Sequence, residues 1–363
     1  MSSQAWPSSI PSGAGLPRRA GRGIPVRESW IDIAKGIGIA LVVYGHSFDG
    51  LHTAGLLSTD SPFGTAFYAI YIFHMALFFM LSGLMVGRRV EQDRARFVRK
   101  LSVTIAWPYF LWSAIQVTAI ALASAYVNTP PTHFGLRTYL LMLWNPPSQF
   151  WFLYVLFFLH LGAALLIRRQ ISIAIPISVA ILLYVLPEIT GYRGRLFEMF
   201  CHFTLFYVLG VVVGRHLSGL KQWLLIDPLA KGALATGIFL SGVAIGLANG
   251  AYFWATAHLP TALAGTALVL ILANHTHGIA AAVLRYLGER AMAIYVLHVL
   301  FVAGSRIVIT RLTGIDDGAI LVALLTGIGL LAPLIVVALA ERLRLSTWLG
   351  LGQVPPRATV AHA

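Results

Sequence analysis

Polar positions along this chain fall into short clusters, and the apolar stretches between them are each close to the roughly 20 residues that a helix needs to cross a bilayer. About ten stretches follow from the pattern, over 31–48, 64–87, 101–125, 150–167, 171–187, 198–216, 232–249, 254–273, 291–310 and 318–340. The prediction is an all-α fold, a polytopic membrane protein of about ten transmembrane helices. Residues 1–26 are rich in Ser, Pro, Gly and Arg and have no apolar core, which predicts a disordered cytoplasmic tail and not a cleaved signal peptide. A single transmembrane domain is expected over 27–345, followed by a cytoplasmic C-terminal tail over 346–363.

Charged residues make up 11% of the chain and hydrophobic residues 58%, whereas ordinary globular proteins are roughly 25% charged. An ordinary soluble domain is thereby excluded. The basic residues supply orientation. Arg18, Arg19, Arg22 and Arg27 precede the first span, and Arg88, Arg89, Arg94, Arg96, Arg99 and Lys100 lie between the second and third. Positive loops resist translocation, so both segments are expected on the cytoplasmic side. Alternation then brings Arg168 and Arg169, the segments 215–231 and 285–290, and the tail with Arg342, Arg344 and Arg357 to that side, with both termini inside. Arg193, Arg195 and Arg311 run against the rule. The formal net charge of +13 is partly this topology signal and also suits anionic lipid or an anionic cytosolic ligand. No nucleic-acid partner is expected. The single cysteine, Cys201, excludes an intramolecular disulfide framework, and no metal site is expected.

The first span, "IDIAKGIGIALVVYGHS" (31–47), holds three groups that are costly to bury: Asp32, Lys35 and His46. Lys35 and His46 are eleven residues apart, which at 100° per residue returns to nearly the same face with a rise of about 16 Å. A ligand touching both would lie along the helix. Asp32, three residues before Lys35, can pair with it; the pair reads equally as part of a site or as an ion pair anchoring the helix end. The second span, "FYAIYIFHMALFFMLSGLMVG", runs back inward and places His74 at a depth similar to that of His46, where two facing imidazoles could handle a proton. Further along it come Phe78, Phe79, Ser82, Gly83 and Gly87, the two glycines spaced for close helix packing. Next, "RFVR" sets Arg96 and Arg99 on one side of a helix that begins early, and paired arginines suit phosphates, whereas a topology signal needs only charge.

Taken in order, "IDIAKGIGIALVVYGH", "FHMALFFMLSG", "RFVR", "WFLYVLF" (151–157) and "AIYVLH" (293–298) resemble the signature elements of the membrane-bound acyltransferase family 3 over residues 27 to about 340. The "IDIAKGIGI" wording resembles the fucose 4-O-acetylase-like branch. The resemblance implies transfer of an acyl group, usually acetyl from cytosolic acetyl-CoA as co-substrate with no permanently bound cofactor, to a hydroxyl of a bacterial cell-envelope glycan or lipid-linked sugar. It implies a multi-pass protein of the inner, cytoplasmic membrane. His46 would be the catalytic histidine, Lys35 its basic partner with His74 beside them, and Arg96 and Arg99 donor-binding residues. About twenty residues follow the tenth span, so the chain is expected to acylate its acceptor itself or to hand the group to a separate extracytoplasmic acyl-transfer protein.

Chemically, a buried histidine can serve as general base or carry the acyl group, and both routes stay open. Ser82 is a candidate acyl carrier, oxyanion donor or packing residue. His298, about seven residues into the ninth span, is expected near the depth of Lys35, where it could meet the pantetheine or pyrophosphate of a donor. Toward the outer face, Trp151 and Glu198 could meet a sugar, by stacking and hydrogen bonding respectively. His160, His202 and His258 read as core or interfacial groups. The rival reading is a proton-coupled transporter or flippase for an envelope precursor, since membrane charges and histidines also mark transport. No inverted repeat supports it, and the charged features concentrate in the first hundred residues.

Overall fold

A computed structural model describes residues 29–128, 134–166 and 172–352, except for the side chains of 87–89 and 91. The tail residues Arg18, Arg19, Arg22, Arg27 and Arg357, the pair Arg168 and Arg169, and the surroundings of Gly87, Arg88 and Arg89 lie outside the described residues. Among the described residues the structure is helical and contains no strand. The helices are α1 (Ser29–Thr53), α2 (Pro62–Gln92), α3 (Arg94–Leu101), α4 (Trp107–Leu122), α5 (Leu136–Leu141), α6 (Trp151–Leu166), α7 (Ala174–Thr190), α8 (Arg195–Arg215), α9 (Leu217–Leu225), α10 (Pro228–Ala248), α11 (Leu259–His275), α12 (Gly278–Glu289), α13 (Ala291–Thr313) and α14 (Gly318–Arg342).

Nine helical segments among the described residues are long and apolar enough to cross a membrane, one of them formed by α3, a π-helical turn over Ser102–Ala106 and α4. The tenth expected span is α7, with 17 residues, about 25 Å at helical rise. Its start lines a groove with Arg215 at the end of α8, and near its other end Glu188 accepts a hydrogen bond from Thr256 Oγ1 at 3.1 Å. It therefore runs between the two ends of the bundle. Contacts between helix ends separate in the way ten crossings require. Asn128 reaches Gly50 O, Gly318 meets Leu56 O and Arg311 lies over Tyr126 at one end, while His275 bonds Leu224 O and Trp107 bonds Trp348 O at the other.

The three arginines that run against the charge rule are each held at the same end of the bundle, the one expected outside. Arg193 pairs with Glu188 and Glu198 at 2.7 and 3.1 Å, Arg195 donates to Ser148 O at 2.9 Å, and the Arg311 guanidinium sits 4.3 Å from the Tyr126 ring. Partnered in this way, part of their charge is offset where the charge rule disfavours it.

α1 is the central helix and packs against α2, α11, α12, α13 and α14. Two close crossings fix its surroundings. Cβ atoms built on Gly83, Gly210 and Gly214 would collide with backbone of the facing helix, so α2 and α8 meet backbone to backbone. A Cβ on Gly36 would strike Leu284 O, and one on Gly288 would strike Asp32 O, so α12 lies equally close to the start of α1. Small residues allow this approach, and in lipid such packing replaces the hydrophobic drive that water supplies elsewhere. α10, by contrast, turns Leu229, Leu234, Leu240 and Ile245 outward, as a lipid-facing helix does.

Candidate functional site

The polar residues of α1 stand at three levels. Lys35 Nζ lies 3.5 Å from Asp32 Oδ1, with Asp32 buried and the lysine half-buried. Lys35 also lines a cavity of ≈ 240 Å³ with Ile39, Val42, Met75, Phe78, Ser82 and Tyr295. His46 lines a second cavity, of ≈ 300 Å³, with Asp49, Gln116, Ser148, Val299 and Arg306. The barrier between them is one helical turn thick on two helices: Val42 and Tyr295 face the Lys35 cavity, called inner after the orientation expected from the charge rule, and His46 and Val299 face the other, called outer. Lys35 and His46 therefore share a stripe but serve different cavities, placed back to back.

His298 lies in that barrier. Its ring centroid is 5.0 Å from that of His46, and the side chain has no exposed surface. This differs from the depth expected from sequence, which put His298 level with Lys35. The expectation counted from a span that starts at the membrane surface, but α12 carries the chain inward first, to the level where Gly288 meets the backbone of Asp32 and Gly36. Ten residues beyond Gly36 and Gly288 stand His46 and His298.

His298 Nδ1 lies 2.7 Å from Tyr295 O and 3.1 Å from Ile294 O. Carbonyl oxygens only accept, so Nδ1 carries the hydrogen and Nε2 of the neutral ring is a bare lone pair. That Nε2 is buried with no hydrogen-bond partner among the described residues. His74 shows the same tautomer, with Nδ1 donating to Ile70 O at 2.8 Å, and it is near enough to His46 for their charges to interact. Its ring centroid is 4.7 Å from that of Tyr71, whose ring in turn fills the space beside Gly45 where a Cβ would go. Asp49, one turn beyond His46, is likewise within electrostatic range of it.

The remaining sequence candidates take different places. Phe78 and Ser82 line the inner cavity. Phe79 is fully buried and stacks on Phe203, with ring centroids 5.0 Å apart, and Gly83 belongs to the α2–α8 crossing. α3 begins early, as the "RFVR" reading requires, because the Asp93 side chain accepts the Arg96 amide at 2.9 Å and caps the helix. Arg96 and Arg99 are exposed there, while Phe97 between them is buried against His160. Neither arginine lines the inner cavity. Trp151 is buried against Phe203 and Trp254 and borders a cleft of only ≈ 20 Å³, room for about one water molecule. Glu198 is engaged by Arg193, and these carboxylate hydrogen bonds, Glu188 first, hold the Arg193 guanidinium above its ordinary pKa.

Two residues that sequence reading passed over lie on the outer cavity, Asp49 and Arg306. A signal for each was present. Asp49 follows His46 by three residues and Arg306 follows Val299 by seven, both spacings that keep a helical face.

Among the described residues no cluster of side chains could hold a metal ion. A family model described as an acyltransferase domain, that of the acyltransferase 3 family, matches residues 28–341. No curated protein and no solved structure matches the chain.

Proposed function

Because this membrane-embedded chain belongs to the acyltransferase 3 family, we propose that it moves an acyl group, most simply acetyl, from cytosolic acetyl-CoA to a hydroxyl of an envelope glycan or lipid-linked sugar. The observation that carries this reading is the pair of cavities meeting at His46 and His298. A donor that cannot cross and an acceptor that approaches from the other side need such a thin barrier between them.

In this reading acyl-CoA enters the inner cavity past Lys35, whose ammonium meets its phosphates or polarises a pantetheine carbonyl. Arg96 and Arg99, exposed on α3, take the nucleotide phosphates outside the cavity. The thioester reaches the end lined by Val42, Met75 and Tyr295, and Phe78 packs along the chain. Ser82 supplies a hydroxyl on the same wall.

The acceptor occupies the outer cavity. Its hydroxyl gives a proton to His46, the oxygen attacks the thioester carbonyl, the carbon–sulfur bond breaks, and the thiolate leaves as CoA after taking up that proton. A histidine in this role contributes typically 10²- to 10⁴-fold. In the covalent alternative His46 first accepts the acyl group itself, releasing CoA, and then passes it to the hydroxyl. Arg306, Asp49 and Gln116 are the outer-cavity groups available to hold a polar acceptor. Inner-membrane residence follows from the cytosolic donor. Family membership counts against the transporter reading.

The test is reconstitution. Purified protein in lipid vesicles, given acetyl-CoA and extracted envelope glycan, should yield acetyl-bearing glycan by mass spectrometry. Release of CoA with no acylated product would leave a hand-over to a second protein as the surviving form, and no turnover at all would remove the acetyl-CoA assignment.

A further inference from the structure

His298 is the most deeply buried titratable group near the barrier, and one of its two ring nitrogens has no partner among the described residues. Its Nδ1 hydrogen is tied to two carbonyls of its own helix, Tyr295 O and Ile294 O, while Nε2 has no partner among the described residues although no water-accessible surface remains on it. A buried acceptor without a donor is normally avoided. The polar ring closest by ring geometry is that of His46, 5.0 Å away between centroids. The two rings make no hydrogen bond in the described conformation; at that separation, turning the His46 ring so that one of its nitrogens faces Nε2 sets the two about 3 Å apart, the length of a hydrogen bond.

We infer that His298 is a positioning residue for His46: in the reacting state the His46 ring turns so that the bare Nε2 accepts its N–H, which aims the basic nitrogen of His46 toward the outer cavity. The inference rests on His46 as the group that takes the acceptor's proton. The tie to the α13 backbone fixes the tautomer of His298, so the acceptor end always points away from Tyr295 O. His46 must then be protonated on the nitrogen facing His298 and free on the other. When His46 takes the proton from the incoming hydroxyl, the developing imidazolium then has its second N–H engaged by a fixed acceptor, so the new charge is stabilised as it forms. His298 occupies the place that a carboxylate takes in the familiar serine-hydrolase arrangement, with a neutral ring where a second negative charge would be costly in the membrane interior. His74, with the same tautomer, is the other imidazole within range of His46, but it lines neither cavity.

The experiment compares His298→Gln with His298→Met, two side chains of similar reach that both lack the Nδ1 hydrogen. Only glutamine offers an oxygen where Nε2 stood. CoA release from acetyl-CoA is measured with extracted envelope glycan as acceptor, on protein in lipid whose folding is checked by thermal melting. His298→Met should lower kcat about 10- to 100-fold and leave KM for acetyl-CoA within about two-fold, because the loss falls on the transition state. His298→Gln should recover most of that loss. Should His298→Met fail to fold, His298→Asn, which keeps a donor toward the backbone but has no acceptor at Nε2, takes its place with the same expected loss. Equal kcat in the acceptor-bearing and acceptor-free variants, whether high or low, would overturn the inference. Full activity in His46→Ala would instead overturn the reading on which it rests.

Discussion

Gly288 of α12 lies against the backbone of Asp32 and Gly36 in α1 with no room for a side chain between them. This contact sets the register in which α1 and α13 rise together, and so brings His298 level with His46.

Replacing Gly288 should therefore be costly. Gly288→Leu would drive a side chain into Asp32 O, and because backbone faces backbone neither helix can yield by a rotamer change. A loss of about 3 kcal/mol or more is expected, seen as a lowered melting temperature or loss of the monodisperse peak on size exclusion in detergent. Gly237→Ala in α10, where an added Cβ meets nothing, should leave both unchanged.

The same contact shows what was legible in the sequence and what was not. The spans could be read because apolar length is set by bilayer thickness, and the stripe of Lys35 and His46 could be read because it depends only on helical periodicity. The depth of His298 depends on where α12 stops, which a glycine fixes by touching another helix; nothing in residues 278–298 alone carries that. The short helices α5, α9 and α12 lie in what reads as loop, since each is too short to span. Asp49 and Arg306 stood at readable spacings, but only the cavity they both line shows that they share a wall.

For the donor, Arg96 and Arg99 are exposed and off the cavity wall, so their contribution should be to binding only. Replacing both with Gln should raise KM for acetyl-CoA about ten-fold with kcat little changed, and Lys at both positions should recover part of the loss, because it restores charge but not the bidentate fork. Steady-state kinetics of CoA release checks this.

For the acceptor, Arg306→Gln should raise the KM for glycan several-fold, while Glu198→Gln should alter it less than two-fold, since Glu198 faces Arg193 and not the cavity of His46. The same assay, run at saturating acetyl-CoA with varied glycan, separates the two.

Orientation has its own check. A reporter placed after residue 92 should behave as cytoplasmic and one near residue 56 as extracytoplasmic, because the basic α2–α3 junction stays inside. Cytoplasmic signal at both sites would break the first hairpin of the ten-span arrangement.

The most direct measurement is acyl transfer by His46→Ala. In this variant the inner cavity with Lys35, Phe78 and Ser82 is intact, because His46 lines only the outer one. Acetyl-CoA should therefore still bind with an affinity within about three-fold of the unaltered protein, while acetyl transfer to glycan falls by at least about 100-fold. Transfer at the full rate in a His46→Ala protein that binds acetyl-CoA normally would contradict the assignment of the chemistry to this histidine.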